Sequence, residues 1–173
     1  MPSRLNDILA PDLRCVLVGI NPGIRSAEAG HHFANPRNDF WRLLADSGLT
    51  RRLLDPSEEQ HLLDDGLGVT NAARRVTRGS GELRRIDFAD ARERLSRIAV
   101  DLRAGAFGFV GKQAYAGAFN ERPQHGLQER RLEGRPLLVL PDHVFPEYER
   151  VVARSERHWV VQKFAKPSDV LGA

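Results

Sequence analysis

The sequence has little cysteine, methionine or tryptophan: Cys15 and Met1 stand alone, and tryptophan occurs only at positions 41 and 159. A single cysteine cannot close an internal disulfide, nor can it supply the several thiolates that an iron–sulfur cluster needs. Cys15 sits in an apolar run and reads as a small buried hydrophobe. Long hydrophobic runs are also missing. No window reaches the length of a membrane-spanning helix, and Arg4, Asn6, Asp7 and Asp12 interrupt any apolar stretch near Met1, so a cytoplasmic protein with no membrane partner is expected. Neither a Gly-x-Gly-x-x-Gly pattern nor a complete phosphate-loop signature occurs. No Pro/Gly/Ser-rich linker divides the 173 residues, a length that suits one domain, 1–173, with a substantial core.

The formal charge is +3, from 26 Lys and Arg against 23 Asp and Glu, which favours a polyanionic partner only modestly. Arginine pairs stand at 51–52, 74–75 (with Arg78), 84–85 and 130–131. All are expected in loops, where phosphate contact and a merely solvated surface both remain open. The apolar pattern predicts a buried strand over 15–20, a helix over 38–47, a helical stretch over 56–64 and a short strand over 68–71. Residues 76–86, with Thr77, Gly79, Ser80 and Gly81, bury little apolar surface and read as a mobile surface loop. Phe88, Ala91, Leu95, Ile98, Ala99 and Leu102 recur at three- and four-residue spacing, with Arg92, Glu93, Arg94 and Arg97 assigned to other faces. Strands are expected at 107–110 and 137–140, helices at 112–119 and 147–164. This alternation implies an α/β protein: a three-layer α/β/α sandwich around a small, mostly parallel sheet.

The chemistry concentrates in Gly19-Ile20-Asn21-Pro22-Gly23, which follows the first strand. Pro22 fixes its own φ and biases Asn21 toward extended backbone, while Gly23 permits close approach of a ligand to the main chain. Phe33 is near enough in sequence to wall the same pocket. A ligand-facing turn and ordinary turn chemistry both fit these five residues. His31 and His32 are adjacent, so in an extended segment their rings point apart and no metal site is expected; one of them approaching a phosphate or base is the alternative. Asp39 and Asp46 read as helix-surface residues in preference to general bases. Trp41 and Trp159 read as core. No cofactor is expected.

Several separated segments closely resemble the mismatch-specific uracil-DNA glycosylases (Mug and thymine-DNA glycosylase). They are Gly19 to Gly23, Ser26-Ala27, Gly30, Phe33-Ala34-Asn35-Pro36 and Asn38-Asp39-Phe40-Trp41 at matching spacings. Matches continue at residues 7–11, 61–64, 68–71 and 111–115, so the resemblance runs from about residue 5 to residue 141. It implies the glycosylase fold and a monofunctional enzyme that flips uracil out of a mismatched duplex, with thymine or damaged pyrimidines open as further substrates. Water would attack C1′ and leave an abasic site for base excision repair. By motif position Asn21 would hold the water, and Phe33 would stack on the flipped base. Main-chain N–H groups around Ile20 and Gly23 would bind a base carbonyl, Ser26 would contact phosphate or base, and Asn71 would face the pocket or serve only as a turn residue.

Lys112 reads as a helix start on the DNA side, not as a Schiff-base amine. The expected partner is double-stranded DNA with G·U or related mismatches, bound by a monomer. The resemblance breaks at 140–148, where the family's second motif gives way to Leu140-Pro141-Asp142-His143-Val144-Phe145-Pro146-Glu147-Tyr148. Val144 and Phe145 could still form an apolar wedge beside Asp142 and His143, and a loop packed on its own core is the alternative. Two other readings stay open: a non-enzymatic DNA-lesion binder, and a small-ligand or nucleotide-binding α/β protein.

Overall fold

A computed structural model describes residues 4–141 of the chain. Asp142, His143, Val144 and Phe145, the helix expected at 147–164 and Trp159 lie outside the described residues. Three strands, β1 (Cys15–Gly19), β2 (Leu67–Asn71) and β3 (Phe107–Val110), are buried at every position. Such uninterrupted burial is the mark of parallel strands covered on both faces. With β4 (Gly126–Leu132) and β5 (Arg135–Leu140) they form one sheet in the order β2-β1-β3-β5-β4, in which every pairing is parallel except β4 with β5.

Alternation along the strands separates two apolar layers. Val16, Val18, Phe107, Phe109, Leu137 and Val139 pack with Leu95 and Ile98 of α3 (Ala91–Asp101) and with Ala114 and Tyr115 of α4 (Lys112–Phe119). Helix α1 spans Ile24–Ala29 and α2 spans Phe40–Asp46. On the opposite face Cys15, Leu17, Val110 and Leu138 pack with Phe40, Trp41 and Leu44 of α2 and with Leu62 of a 3₁₀ helix, Pro56–Asp65. The three-layer α/β/α reading therefore stands. Trp41 is core as expected, and burial pushes the Cys15 thiol up to about 12, leaving an inert hydrophobe.

The helical stretch expected at 56–64 is present as the 3₁₀ helix Pro56–Asp65, begun by a capping box in which Asp55 accepts from Ser57 N–H and Glu58 from Asp55 N–H. Two expectations are corrected. Strand β4 was not anticipated, and it carries Arg130 and Arg131, which were assigned to a loop. As an edge strand it alternates exposed and half-buried positions and is rich in charge, so it lacks the apolar signature of its neighbours. Arg130 is held there by Glu121 and lies 5.3 Å from the Phe119 ring centroid. Finally, residues 76–86 are no free loop. They contain 3₁₀ turns at Ser80–Glu82 and Arg85–Phe88, and Arg75 ties them together by reaching the Glu82 carbonyl and, at 3.2 Å, the Asp87 carboxylate.

The chain leaves β1 toward β2 on one side and later returns to β3 on the other. A crevice at the carboxyl ends of strands β1 and β3 follows from that reversal, and open α/β sheets bind ligands at such points. Gly19 pairs with Asn71 and Val110 with Leu140, so these strand ends share one edge.

Candidate active site

Parallel pairing continues beyond the end of β1. Ala72 and Ala73 donate to the carbonyls of Gly19 and Ile20 at 2.8 Å each, Thr77 N–H to Pro22 at 3.2 Å, and Ile24 N–H to Thr77 at 3.2 Å. Residues 72–77 therefore run beside 19–24. Asn21 exploits this neighbour: its Nδ2 donates to the Arg75 carbonyl at 2.8 Å, to Thr77 Oγ1 at 2.7 Å and, more weakly, to the Pro22 carbonyl at 3.2 Å. Backbone carbonyls only accept, so the amide nitrogen must face them and the side chain has one orientation. Thr77 passes the bond on, its hydroxyl donating to the Gly79 carbonyl at 3.0 Å. Every hydrogen bond of Asn21 thus uses its nitrogen, and Oδ1 receives none from the described residues.

Gly19 forms the floor of the corner next to it. A Cβ there would stand 2.5 Å from Asn71 Oδ1 and 3.1 Å from Phe33 Cζ, so the Asn71 amide and the Phe33 ring converge where a side chain is missing. Asn71 is buried at 6 % exposure, and Arg94 holds its backbone by donating to the carbonyls of Asn71 at 2.8 Å and Ala72 at 3.1 Å. Arg94 also donates to Thr70 Oγ1 at 3.2 Å, and Thr70 in turn donates to Asp7 at 2.9 Å. Arg94, assigned to a face other than the apolar stripe, is nonetheless buried, and its guanidinium donates to the carbonyls at the end of β2.

Phe33 adopts φ +50°, a left-handed conformation costly for an aromatic residue, so its surroundings must hold it. One face of the ring is taken by Phe40, with centroids 3.8 Å apart and planes 13° from parallel. Its carbonyl accepts from Trp41 Nε1 at 3.2 Å. Ser26 is buried and its Oγ accepts the Ala34 N–H at 3.1 Å, which turns it toward the Phe33–Ala34 backbone. His31 and His32 diverge as expected. His32 is buried with Nε2 2.7 Å from the Asn6 carbonyl, while His31 Nδ1 lies 3.1 Å from the Glu59 carboxylate. A cavity of about 390 Å³ also borders Phe33, lined by His31, Ala34, Asn38 and Trp41 among others, and it excludes Asn21 and Asn71. Phe33 is the residue shared by that cavity and the Gly19–Asn71 corner.

The remaining candidates fall as follows. Gly23 has ordinary backbone (φ −77°), and a Cβ there would meet nothing within 4 Å, so neither strain nor crowding demands glycine. Ile20 is half-buried, with its carbonyl engaged by Ala73. Lys112 is exposed at the start of α4, next to Gly111 at the end of β3, and so lies on the same edge. Asp39 pairs with Arg42 at 3.8 Å and Asp46 is exposed, in keeping with helix-surface roles. Among the described residues no group of three His, Cys, Asp or Glu side chains is arranged to hold a metal ion.

A doubly wound sheet with a fixed carboxamide, a second carboxamide and a half-covered aromatic ring gathered at its carboxyl edge defines an α/β ligand-binding domain suited to a flat, polar-edged ligand. The family follows from a wider match. The model for the uracil DNA glycosylase superfamily covers residues 7–168, and the chain belongs to that superfamily. It is accordingly a DNA glycosylase: a hydrolase with DNA as its substrate, working in base excision repair. Sequence reasoning missed Thr77, Arg94 and Glu59, because each acts on the site through a contact remote in sequence.

Proposed function

We propose that this glycosylase excises uracil from mismatched duplex DNA, with thymine and damaged pyrimidines as possible further substrates, and that it does so by water attack at C1′ without a covalent enzyme intermediate. The observation that carries the reading is Asn21, whose nitrogen is fully spent on its neighbours while its Oδ1 is not. An unspent carbonyl oxygen on a rigid turn accepts one proton of a water and aims the lone pairs of that water at the sugar. An amide is too weak a base to deprotonate the water first. The C1′–N1 bond therefore breaks ahead of attack and its electron pair passes to the departing uracil; the water then bonds to C1′, and its surplus proton passes through solvent to the uracil anion. Main-chain N–H groups around Ile20 and Gly23 would stabilise the charge growing on a uracil oxygen. The open space over Gly23 supports such an approach, since no neighbour fills it.

Phe33 offers the ring face that Phe40 leaves free, and Asn71 offers a carboxamide to the polar edge of the stacked base. That carboxamide pairs with uracil in one orientation and with cytosine in the other, so Asn71 alone discriminates poorly between them. Selectivity would come instead from two energies. Uracil leaves more readily than cytosine, and a mismatched base is cheaper to extrude. Lys112 is on the edge where the flanking strand would lie, and Val144 with Phe145, beside Asp142 and His143, would act as the wedge. The test is to incubate the protein with short duplexes bearing single G·U, A·U, G·T or ethenocytosine·G sites and to cleave abasic products with alkali. Strand cleavage strongest at G·U is expected; no cleavage at any site would overturn the reading.

A further inference from the structure

We propose that Glu59 is a positioning residue for the base-stacking ring, an inference that rests on the reading of Phe33 given above. Glu59 is 6 % exposed on the 3₁₀ helix Pro56–Asp65, where a carboxylate is retained only if well bonded. Its Oε2 accepts the His32 N–H at 2.7 Å, and its Oε1 lies 3.1 Å from His31 Nδ1. One carboxylate thus grips two consecutive residues immediately before Phe33. The grip matters because Phe33 itself sits at φ +50°, a conformation that a phenylalanine leaves when nothing opposes it. Around the same segment His32 Nε2 is bonded to the Asn6 carbonyl, Ser26 accepts from Ala34 N–H and Trp41 donates to the Phe33 carbonyl. Of these supports Glu59 alone brings a full charge, and charge-assisted bonds are the stronger ones.

The clamp also decides a tautomer. An ionised carboxylate only accepts, so His31 must carry a proton on Nδ1, and its Nε2 is turned away from Glu59. A glutamine at 59 retains an oxygen for the His32 N–H and presents an NH₂ to His31, which shifts its proton to Nε2 and preserves the geometry. Truncation to alanine frees both residues. Because a stacking platform displaced by an ångström loses much of its effect, Glu59→Ala is expected to lower kcat/KM for uracil release from a G·U duplex by about tenfold. Glu59→Gln is expected to stay within about threefold of the parent protein.

The decisive arm is a double-mutant cycle with Phe33→Ala. If Glu59 acts through the ring, adding Glu59→Ala to Phe33→Ala costs nothing further. A loss of the same size in both backgrounds overturns the proposal, as does a Glu59→Ala protein with unchanged kcat/KM. If the parent protein releases no base at all, the proposed function fails, and the clamp is still judged by NMR. The Trp41 indole N–H, bonded to the Phe33 carbonyl, should shift and exchange faster in Glu59→Ala and should be restored in Glu59→Gln. An indole signal identical in all three proteins overturns it.

Discussion

Asn21 and Phe33 are the two proposed walls of the site, and they are held by opposite means. Asn21 is oriented by neutral acceptors: the Pro22 carbonyl of its own turn, and the Arg75 carbonyl and Thr77 hydroxyl on the segment that pairs with that turn. The segment bearing Phe33 is gripped by a buried carboxylate from a 3₁₀ helix on the other side of its loop. A polar side chain can be set by matching donors to acceptors, so main chain suffices. A ring has nothing to match, so the backbone behind it must be fixed, and a strained φ demands a strong anchor. The two walls should therefore fail differently: the first by loss of chemistry with the fold intact, the second by loss of geometry.

The largest effect is expected at Asn21. Asn21→Ala removes the oxygen proposed to hold the water, and single-turnover release of uracil should fall by about 10²–10³-fold, comparable to the loss of one preorganised polar group in other active sites. Its melting temperature should change little, which a thermal scan checks. The glycines sharpen the comparison next. Gly19→Ala drives a Cβ into the Asn71 and Phe33 side chains and should cost about 2 kcal/mol in urea unfolding as well as excision. Gly23→Ala meets no protein atom, so it should leave unfolding unchanged while weakening substrate binding.

Thr77→Val deletes one partner of Asn21 and should cost about 1 kcal/mol, read as a several-fold loss of excision that Thr77→Ser restores. The smallest effect concerns acid. Hydrogen bonds from Arg52 and from the Asp55 backbone lower the Glu58 carboxyl to about 2 from an unfolded value of 4.5. Its contribution is complete above 4.5 and is lost as pH falls through about 2, because the unfolded chain takes up the proton first. In Glu58→Gln the melting temperature should accordingly fall less steeply over that interval than in the parent protein.

Elements buried on both faces were legible in the sequence. Strand β3 has the expected bounds and β1 differs by one residue, because short apolar runs followed by glycine leave few alternatives; the amphipathic helix α4 also has its expected bounds. Strand β4 was not legible, since the inward positions of this charged edge strand are mostly half-buried glycine, glutamine and arginine, with Leu132 as their apolar member. The same blindness affected the site. Asn21 and Phe33 stood out through a motif, whereas Thr77 meets Asn21 from 56 residues away and Arg94 meets the Asn71 carbonyl from 23. Helical periodicity sorts apolar from polar positions, so it sets Arg94 apart from the apolar stripe and does not reveal its burial. Glu59 was passed over for the same reason: nothing in a run of Ser, Glu, Glu and Gln distinguishes the carboxylate that turns inward.

The central claim is that one corner of the sheet edge holds both the base and the water that replaces it. A crystal structure with a duplex carrying 2′-fluoro-deoxyuridine opposite guanine tests it most directly, because the fluorine disfavours positive charge at C1′ and slows cleavage while leaving the base unaltered. The account predicts the uracil ring stacked on the free face of Phe33, its polar edge at hydrogen-bond distance from the Asn71 amide, and a water bonded to Asn21 Oδ1 on the side of C1′. A base lodged elsewhere, or Asn21 Oδ1 bonded to protein with no water between it and the sugar, would contradict it.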